Sequence, residues 1–111
     1  MKRGDIYFAV LDPTRGAEIQ KTRPVIIVSN DAANRASSLV TVLPLTSNLR
    51  SVYPFEVKLS AAETGLSKDS KAMAQQVRTI DKRRLGSVRR GVVAPAKMRL
   101  VDAALRLHLA L

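Results

Sequence analysis

Three short polar segments, residues 14–23, 46–50 and 75–78, interrupt apolar runs and carry most of the side chains that could do chemistry. Loops held by a rigid sheet are common places for functional residues. Arg23 stands out because it leads directly into an apolar run, where a charge is costly to desolvate unless it is paired. A guanidinium at this position is either half of a structural ion pair with Glu18 or a bidentate ligand for phosphate.

The other two segments offer neutral hydrogen-bonding groups. Thr46 follows an apolar run and is either a simple turn hydroxyl or a donor to a phosphate oxygen. Gln75 and Gln76 carry amide donors and acceptors of the kind that can recognise the edge of a base. On a strand these two neighbours would point to opposite faces, so only one of them would contact a base.

The composition excludes several kinds of catalytic site. The chain has no cysteine and a single histidine, which excludes disulfides, thiolate chemistry and a histidine pair within one chain. Its carboxylates are scattered, and the sequence contains no metal-binding spacing, glycine-rich phosphate loop or serine–histidine arrangement. An enzyme built from these residues would act by positioning and electrostatics, without a metal or cofactor.

The charge of the chain indicates a polyanionic partner. Lysine and arginine number 19 against 9 acidic residues, which gives a net charge of +10 and a pI near 10.9 in only 111 residues. The densest basic stretch is Lys82–Arg90. Nucleic acid, an acidic protein or an anionic membrane surface would each suit this charge. No apolar run approaches the roughly 20 residues of a membrane span, and no leader is evident, so a cytoplasmic location is expected.

The pattern predicts one domain over residues 1–111, mainly β with a C-terminal helix, in a small barrel or sandwich. Phe55, Val57 and Leu59 alternate with Glu56 and Lys58, which is typical of a half-exposed strand. Residues 71–79 fit either a strand or a helix, and Val77 and Thr79 favour the strand. The five predicted strands are Asp5–Leu11, Arg23–Ser29, Leu39–Leu45, Phe55–Leu59 and Lys71–Thr79.

The last segment predicts a helix beginning near Pro95, a residue suited to a first helical turn. Two adjacent apolar stripes run along it: Met98, Val101, Leu105 and Leu109, and beside them Leu100, Ala104, Leu107 and Leu111. Such a wide apolar face either sinks into the domain or packs partly on another subunit. His108 lies on the first stripe and is expected to be a packed or surface residue.

Several motifs occur in order along the whole chain: Arg3–Tyr7, Leu11–Pro13, Gly16–Glu18, Thr22–Asp31, Leu43–Ser47, Tyr53–Val57, Gln76–Asp81 and Leu105–Leu109. In this combination the sequence resembles the MazF/PemK family of toxin endoribonucleases. The resemblance implies a small SH3-like β-barrel with a C-terminal helix, acting as a homodimer. It further implies sequence-specific, metal-independent and ribosome-independent cleavage of single-stranded RNA, without a cofactor. A cognate antitoxin with an acidic, flexible tail would cover the RNA groove.

The resemblance also implies roles for individual residues. Arg23 and Thr46 correspond to the catalytic pair of the family, and Glu18 is the loop glutamate and the candidate general base. The residues expected to bind RNA are Arg15, Gln20, Lys21, Ser47, Asn48, Arg50, Tyr53, Gln75, Gln76 and Arg78. The chain departs from the family's common Gly-Ser-Glu-Gln loop, because it has Ala17 and Ile19 and carries its glutamine one position later, at Gln20.

Two other functions share these general features. A toxin that poisons DNA gyrase would use a similar barrel but needs neither Arg23 nor Thr46. A noncatalytic basic barrel would bind nucleic acid without forming a product. The presence of both Arg23 and Thr46 favours the ribonuclease.

Overall fold

The strands of the sheet come first along the chain and the long helix comes last, in a computed structural model that describes residues 1–12, 15–18 and 21–111. Within these residues the strands are β1 (Asp5–Val10), β2 (Thr22–Ile27), β3 (Leu39–Thr46), β4 (Glu56–Leu59), β5 (Ser70–Met73), β6 (Arg78–Asp81) and β7 (Gly91–Val92). The helices are α1 (Asp31–Ala36), α2 (Ala61–Thr64) and α3 (Pro95–Leu109), with short 3-10 turns at Ala74–Gln76 and Lys82–Arg84. The prediction of a mainly β fold with a C-terminal helix is confirmed.

The sheet is antiparallel and has the strand order β4-β5-β3-β2-β1-β7, with β6 paired to β3 beside that path. The central strand β3 therefore has two partners on one edge: residues 39–42 pair with β6, and residues 45–46 pair with β5. Pro44 falls between these two stretches, where a residue without a backbone N–H costs the ladder least. This change of partner curls the sheet into a half-barrel.

Apolar residues on the two faces of the sheet form two separate cores. Strand β2 contributes Ile26 to one core and Val25 and Ile27 to the other, so this strand is buried on both faces, as its continuous apolar run predicts. Helix α3 covers the first core with Met98, Val101 and Ala104. The two cores together bury apolar side chains on both faces of the sheet.

The prediction of a single strand over residues 71–79 is wrong. This segment contains the end of β5, the 3-10 turn Ala74–Gln76 and the start of β6. The pairs Leu45–Ala72 and Val42–Arg78 show the reason, because the partner segment advances six residues while β3 advances three. The turn takes up the extra residues between the two registers. Gln75 and Gln76 consequently do not alternate across a strand.

The expected half-exposure of β4 is also wrong at Glu56, which is buried at 7% exposure, whereas Lys58 is exposed as expected. Glu56 can be buried because its carboxylate has several hydrogen-bond donors around it. The Lys71 ammonium lies 3.0 Å from Glu56 Oε1, and the Gln75 amide donates to Oε2 at 2.7 Å. The pattern of alternation alone does not reveal such partners.

Helix α3 begins at Pro95, as predicted, and ends at Leu109 before Ala110 in the left-handed region at φ 59°. The two predicted stripes behave differently. The first buries Met98 and Val101, whereas the second leaves Leu100 and Leu107 exposed. His108 lies on the surface. No helix among residues 1–12, 15–18 and 21–111 is long and apolar enough to cross a bilayer.

Candidate functional site

Arg23 and Thr46 come together where β2 and β3 end. The two strands pair in the register Val25–Pro44, Ile26–Leu43 and Ile27–Val42. Continuing that register by two residues places Arg23 opposite Thr46, and directly opposed residues project from the same face of a sheet. Both side chains are half-buried and line the same pocket. Two residues that lie 23 positions apart in the sequence are thus brought side by side.

The shared pocket, which we call the Arg23 pocket, is an open cleft of about 440 Å³. Arg23 and the cations Lys68 and Arg90 line it, and none of the described residues on its wall is acidic. Its remaining polar side chains come from Thr46, Ser47, Ser67 and Ser70. A pocket with this charge is suited to a phosphate-bearing ligand.

A second, shallower pocket, which we call the Gln76 pocket, lies on the other side of Thr46. Its volume is about 220 Å³, and its lining consists of Ala17, Thr46, Asn48, Lys71, Met73 and Gln76. Thr46 lines both pockets. A strand of ligand crossing Thr46 would therefore contact different groups before and after this residue.

Thr46 also organises the turn that follows β3. Its hydroxyl accepts a hydrogen bond from the Asn48 N–H at 3.2 Å, and the Asn48 side-chain oxygen accepts one from the Arg50 N–H at 3.2 Å. These bonds to the backbone are typical of short polar turns. The turn interpretation and the ligand interpretation of Thr46 are compatible, because the hydroxyl proton remains available for donation. Ser47, Asn48 and Arg50 follow Thr46 along this turn, and all three are exposed.

Beneath this turn lies a buried ion pair between Glu56 and Lys71, with the two side chains 2% and 10% exposed. Burial would raise the pKa of Glu56, but hydrogen bonds from the Tyr53 N–H, the Gln75 amide and Lys71 together hold that pKa below its usual value. The Gln75 amide nitrogen is thus committed to the carboxylate. The structure places Gln75 in this internal network and Gln76 on the pocket wall.

Aromatic side chains extend the site outward from the ion pair. Tyr53 is 53% exposed and stacks on Phe55, with ring centroids 5.4 Å apart and planes inclined by 15°. The Lys71 ammonium lies 5.8 Å from the Tyr53 ring centroid. His108 contacts the far side of this group, 6.3 Å from the Phe55 ring. An exposed ring held in this way offers a platform for stacking.

The first polar segment is described only in part. Glu18 is exposed, and its carboxylate accepts a hydrogen bond from the Arg15 N–H at 3.0 Å. Its neighbour Ala17 lines the Gln76 pocket, but Glu18 itself lies on neither described pocket wall. Lys21 adopts a positive φ of 68° and is exposed, with its N–H donating to Asp12. Gln20 lies outside the described residues.

Arg78 lines neither the Arg23 pocket nor the Gln76 pocket. It is half-buried, and its guanidinium donates to the Leu11 carbonyl at 3.1 Å. This bond ties β6 to the end of β1. The described contacts therefore give Arg78 a structural role beside any role in ligand binding.

Three residues that line the Arg23 pocket were not predicted from the sequence as site residues: Lys68, Ser70 and Arg90. The basic stretch Lys82–Arg90 indicated some of this charge but not which residue faces the pocket. Arg83 pairs with Asp81 at 3.0 Å and Arg84 donates to two main-chain carbonyls, whereas Arg90 covers the Phe8 ring at 5.1 Å. The sequence signal that could have pointed to Arg90 is the glycine pair Gly65 and Gly91, which lets the segment carrying Lys68 and the segment carrying Arg90 approach each other.

Gly65 and Gly91 allow the end of α2 to lie against β7. A Cβ on Gly91 would stand 1.8 Å from the Thr64 carbonyl oxygen, and one on Gly65, whose φ is 75°, would stand 2.8 Å from the Arg90 carbonyl oxygen. Only glycine tolerates both demands. The close approach sets Arg90 beside the loop that carries Lys68. Among the residues described, no group of three or more acidic or histidine side chains is placed to hold a metal ion.

Comparisons with known proteins agree with this arrangement. Residues 2–109 match the family model for the PemK-like, MazF-like toxin of type II toxin–antitoxin systems. The chain belongs to this family. It is 47% identical to Endoribonuclease MazF9 of Mycobacterium tuberculosis, over 98% of this chain and 96% of the relative. It is 38% identical to Endoribonuclease EndoA of Bacillus subtilis, over 100% of this chain and 96% of that protein.

The fold of this PemK/MazF-family chain also matches those of solved toxin structures. An endoribonuclease in complex with its cognate antitoxin, from a mycobacterial species, matches with a TM-score of 0.81 and 30% identity, over 100% of this chain and 96% of the other. MazF from Deinococcus radiodurans matches with a TM-score of 0.86 over 100% and 97% of the two chains. At 24% identity, this second likeness concerns the fold alone.

Proposed function

We propose that this chain is the toxin of a toxin–antitoxin system and acts as an endoribonuclease that cleaves single-stranded RNA at a short sequence, which arrests translation and growth. The observation that carries this proposal is the placement of Arg23 beside Thr46 on the wall of a cationic pocket. Membership of the toxin family and the endoribonuclease names of two relatives support it. The cleavage needs neither a metal ion nor the ribosome.

The chemistry begins with a nucleophile that RNA supplies itself. The 2′-hydroxyl oxygen forms a bond to the adjacent phosphorus, the bond from phosphorus to the 5′-oxygen breaks, and the products are a 2′,3′-cyclic phosphate and a 5′-hydroxyl. Arg23 stabilises the charge that develops on the phosphoryl oxygens, an effect worth about 3 kcal/mol per well-placed donor. The Thr46 hydroxyl donates to a non-bridging oxygen.

Two protons move during the reaction. Glu18 takes the proton of the 2′-hydroxyl, because arginine stays protonated at neutral pH and is a poor base. In this proposal Arg23 donates the proton that the leaving 5′-oxygen takes up. Glu18 is exposed, and its neighbour Ala17 lines the Gln76 pocket beside Thr46.

The RNA strand runs across Thr46, with Ser47, Asn48 and Arg50 along the turn and Tyr53 stacking on a base. Gln76 contacts a base edge in the Gln76 pocket, and Gln75 supports that turn through Glu56. Arg15, Gln20, Lys21 and Arg78 complete the set of RNA-binding residues that we propose. The strongly basic composition supports this assignment.

We also propose two protein partners, a second copy of this chain and a cognate antitoxin. The exposed leucines of α3 favour a homodimer, and the net charge of +10 favours an antitoxin with an acidic, flexible tail that covers the RNA groove. A mycobacterial endoribonuclease solved in complex with its cognate antitoxin supports the second partner. Such a toxin would act in the cytoplasm.

Thr46→Ala tests the proposed catalytic role, with Thr41→Ala as its matched control. Thr41 is on the same strand, and its hydroxyl is bonded to Thr79 at 2.8 Å instead of facing either pocket. We expect Thr46→Ala to lose at least about a hundredfold in cleavage rate while retaining RNA affinity, and Thr41→Ala to cleave normally. Product ends are identified by phosphatase and ligase treatment. Cleavage at the wild-type rate by Thr46→Ala, or the appearance of 5′-phosphate ends, would contradict the mechanism.

The two alternative functions make different predictions for the same purified protein. A gyrase poison would inhibit DNA supercoiling and leave RNA intact. A noncatalytic barrel would bind RNA with saturation and form no product.

A further inference from the structure

Ser70 is a buried polar residue that no interaction among the described residues explains. It is 3% exposed, and its hydroxyl oxygen has no hydrogen-bond partner in the described part of the chain, although it lies on the wall of the Arg23 pocket. A buried hydroxyl without a partner destabilises the folded state. Its position on the pocket wall offers a reason for keeping it, namely a ligand that supplies the missing partner.

Ser70 and Lys71 divide the two pockets between them. They are consecutive residues of β5, so their side chains point to opposite faces of the sheet. Ser70 lines the Arg23 pocket, Lys71 lines the Gln76 pocket, and Thr46 is shared. If the scissile phosphate lies at Thr46, the nucleotides on its two sides therefore enter different pockets.

The charges of the two pockets also differ. Lys71 is the basic residue of the Gln76 pocket, and Glu56 neutralises it at 3.0 Å. The Arg23 pocket has Lys68 and Arg90 in addition to Arg23, and the described part of its wall carries no carboxylate. The Arg90 guanidinium lies over the Phe8 ring, which holds its plane in place beside the cleft. A flat guanidinium held in this way can stack on a base or bind a phosphate.

We infer that the Arg23 pocket is a second RNA subsite, which binds the nucleotide next to the scissile phosphate on the side away from Gln76. In this subsite Ser70 donates a hydrogen bond to the RNA, and Lys68 and Arg90 neutralise its flanking phosphate. The close contact of Gly65 with the Arg90 backbone keeps the two cations on the same pocket wall. This inference rests on the proposed ribonuclease function and adds three RNA-binding residues to it.

The test uses the purified full chain and short RNAs that contain the mapped cut site. One RNA extends two nucleotides on both sides of the cut, and two others are shortened on the 5′ or the 3′ side only. Ser70→Ala, Lys68→Gln and Arg90→Gln are compared with Arg35→Gln and Arg99→Gln, which remove an exposed charge from residues that line neither pocket. Cleavage rates and the affinities of 2′-deoxy versions of the same RNAs are measured for each protein.

For the fully extended RNA, we expect each pocket variant to lower kcat/KM and affinity by about tenfold. For the RNA that lacks the nucleotides on the side of the Arg23 pocket, we expect little effect. That coupling to one side of the cut is something a merely structural residue would not produce. Lys68→Gln and Arg90→Gln should also each reduce the log–log salt dependence of binding by about 0.7. The Arg35 and Arg99 controls should keep the wild-type pattern.

Equal effects of the pocket variants on all three RNAs, or no effect on any, would overturn the subsite. So would unchanged RNA binding together with weakened binding of an Asp/Glu-rich peptide, because the pocket would then be a protein-docking surface. If the wild-type protein cuts no RNA, the nuclease function fails, and the same variants are then compared by their affinity for single-stranded RNA of mixed sequence. Equal binding by the pocket variants and the wild type in that comparison would overturn the subsite as well. Cleavage by the wild type without any side-specific effect of the pocket variants would support the nuclease function and overturn the subsite.

Discussion

At the scale of the residue, the site depends on a few buried polar side chains whose partners are identifiable. The Glu56–Lys71 pair holds the chain after the Thr46 turn, because Lys71 also donates to the Ser51 carbonyl and Glu56 accepts from the Tyr53 N–H. A buried pair of this kind is costly to break, since removing one partner leaves the other without compensation. Its strength should therefore be visible in stability and in pH dependence.

Glu56→Gln should lower the free energy of unfolding at pH 7 by about 3 kcal/mol. Because the folded state lowers the pKa of Glu56, the stabilising contribution is fully present above the usual carboxyl pKa. It is lost as the pH falls through the lower pKa of the folded state. Urea unfolding from pH 7 to pH 3 should show the variant and wild-type curves converging below about pH 4. A constant difference across that range would contradict this account, and Glu18→Gln, at an exposed site, is the control.

Ser70→Ala should have the opposite consequence for stability. Since the Ser70 hydroxyl has no partner among the described residues, its removal should leave the free energy of unfolding unchanged or raise it by about 1 kcal/mol. Thr64→Val is the matched control, because the buried Thr64 hydroxyl donates to the Ser60 carbonyl and accepts from the Leu66 N–H. That variant should lose about 1 kcal/mol. A comparable loss in Ser70→Ala, measured by thermal unfolding, would mean that Ser70 is structural.

The sequence marks Arg23 and Thr46 as candidate site residues because both interrupt or end an apolar run, and the structure places the two on the wall of one pocket. A charge directly before a buried strand needs an explanation, and the family resemblance supplies one. Ser70 and Lys68 give no such signal, because a serine and a lysine in a polar loop are ordinary. Their significance follows only from strand pairing and from the buried state of the Ser70 hydroxyl.

At the scale of the element, local patterns predicted the apolar strands and the long helix but not the turn inside residues 71–79. Alternation describes how a strand fits one partner, whereas this segment changes register along β3. The extra residues form the turn that places Gln76 in its pocket and Gln75 against Glu56. Such a break depends on the curl of the whole sheet, which no local window contains.

The contact between α2 and β7 gives a prediction at the same scale. Gly91→Ala should destabilise the protein by about 3 kcal/mol or more, because the new methyl group would overlap the Thr64 carbonyl and force the two segments apart. Gly86→Ala is the matched control, since its Cβ would meet only the Phe8 carbonyl at an ordinary 3.5 Å. Chemical denaturation of both variants measures the difference. Equal stability of the two would show that the α2–β7 contact is not tight in solution.

At the scale of the whole molecule, helix α3 leaves three leucines exposed outside both cores: Leu100, Leu107 and Leu109. Leu100 and Leu107 are 51% and 57% exposed, and together with Ala103 they border a groove that continues to Pro54 and Val57. A second copy of the chain packing here would remove these leucines from water. This supports the interpretation in which the wide apolar face of α3 packs partly on another subunit.

If the proposed homodimer packs through this face, a double substitution, Leu100→Glu with Leu107→Glu, should convert it into a monomer in sedimentation equilibrium. Val88→Glu is the control, because Val88 is equally exposed, at 56%, but lies outside α3. We expect the Val88 variant to remain dimeric and all variants to retain the wild-type circular dichroism. A dimer that survives the double substitution would place the interface elsewhere on the molecule.

The central claim is that the Arg23–Thr46 site cleaves RNA, and one assay tests it most directly. Purified wild-type protein, Arg23→Ala and the surface control Arg35→Ala are incubated in EDTA with a long RNA of mixed sequence, and the cut positions are read by primer extension. We predict discrete cuts at one short sequence for the wild type and for Arg35→Ala, and none for Arg23→Ala. Intact RNA with folded wild-type protein, or an identical cutting pattern in Arg23→Ala, would contradict the claim.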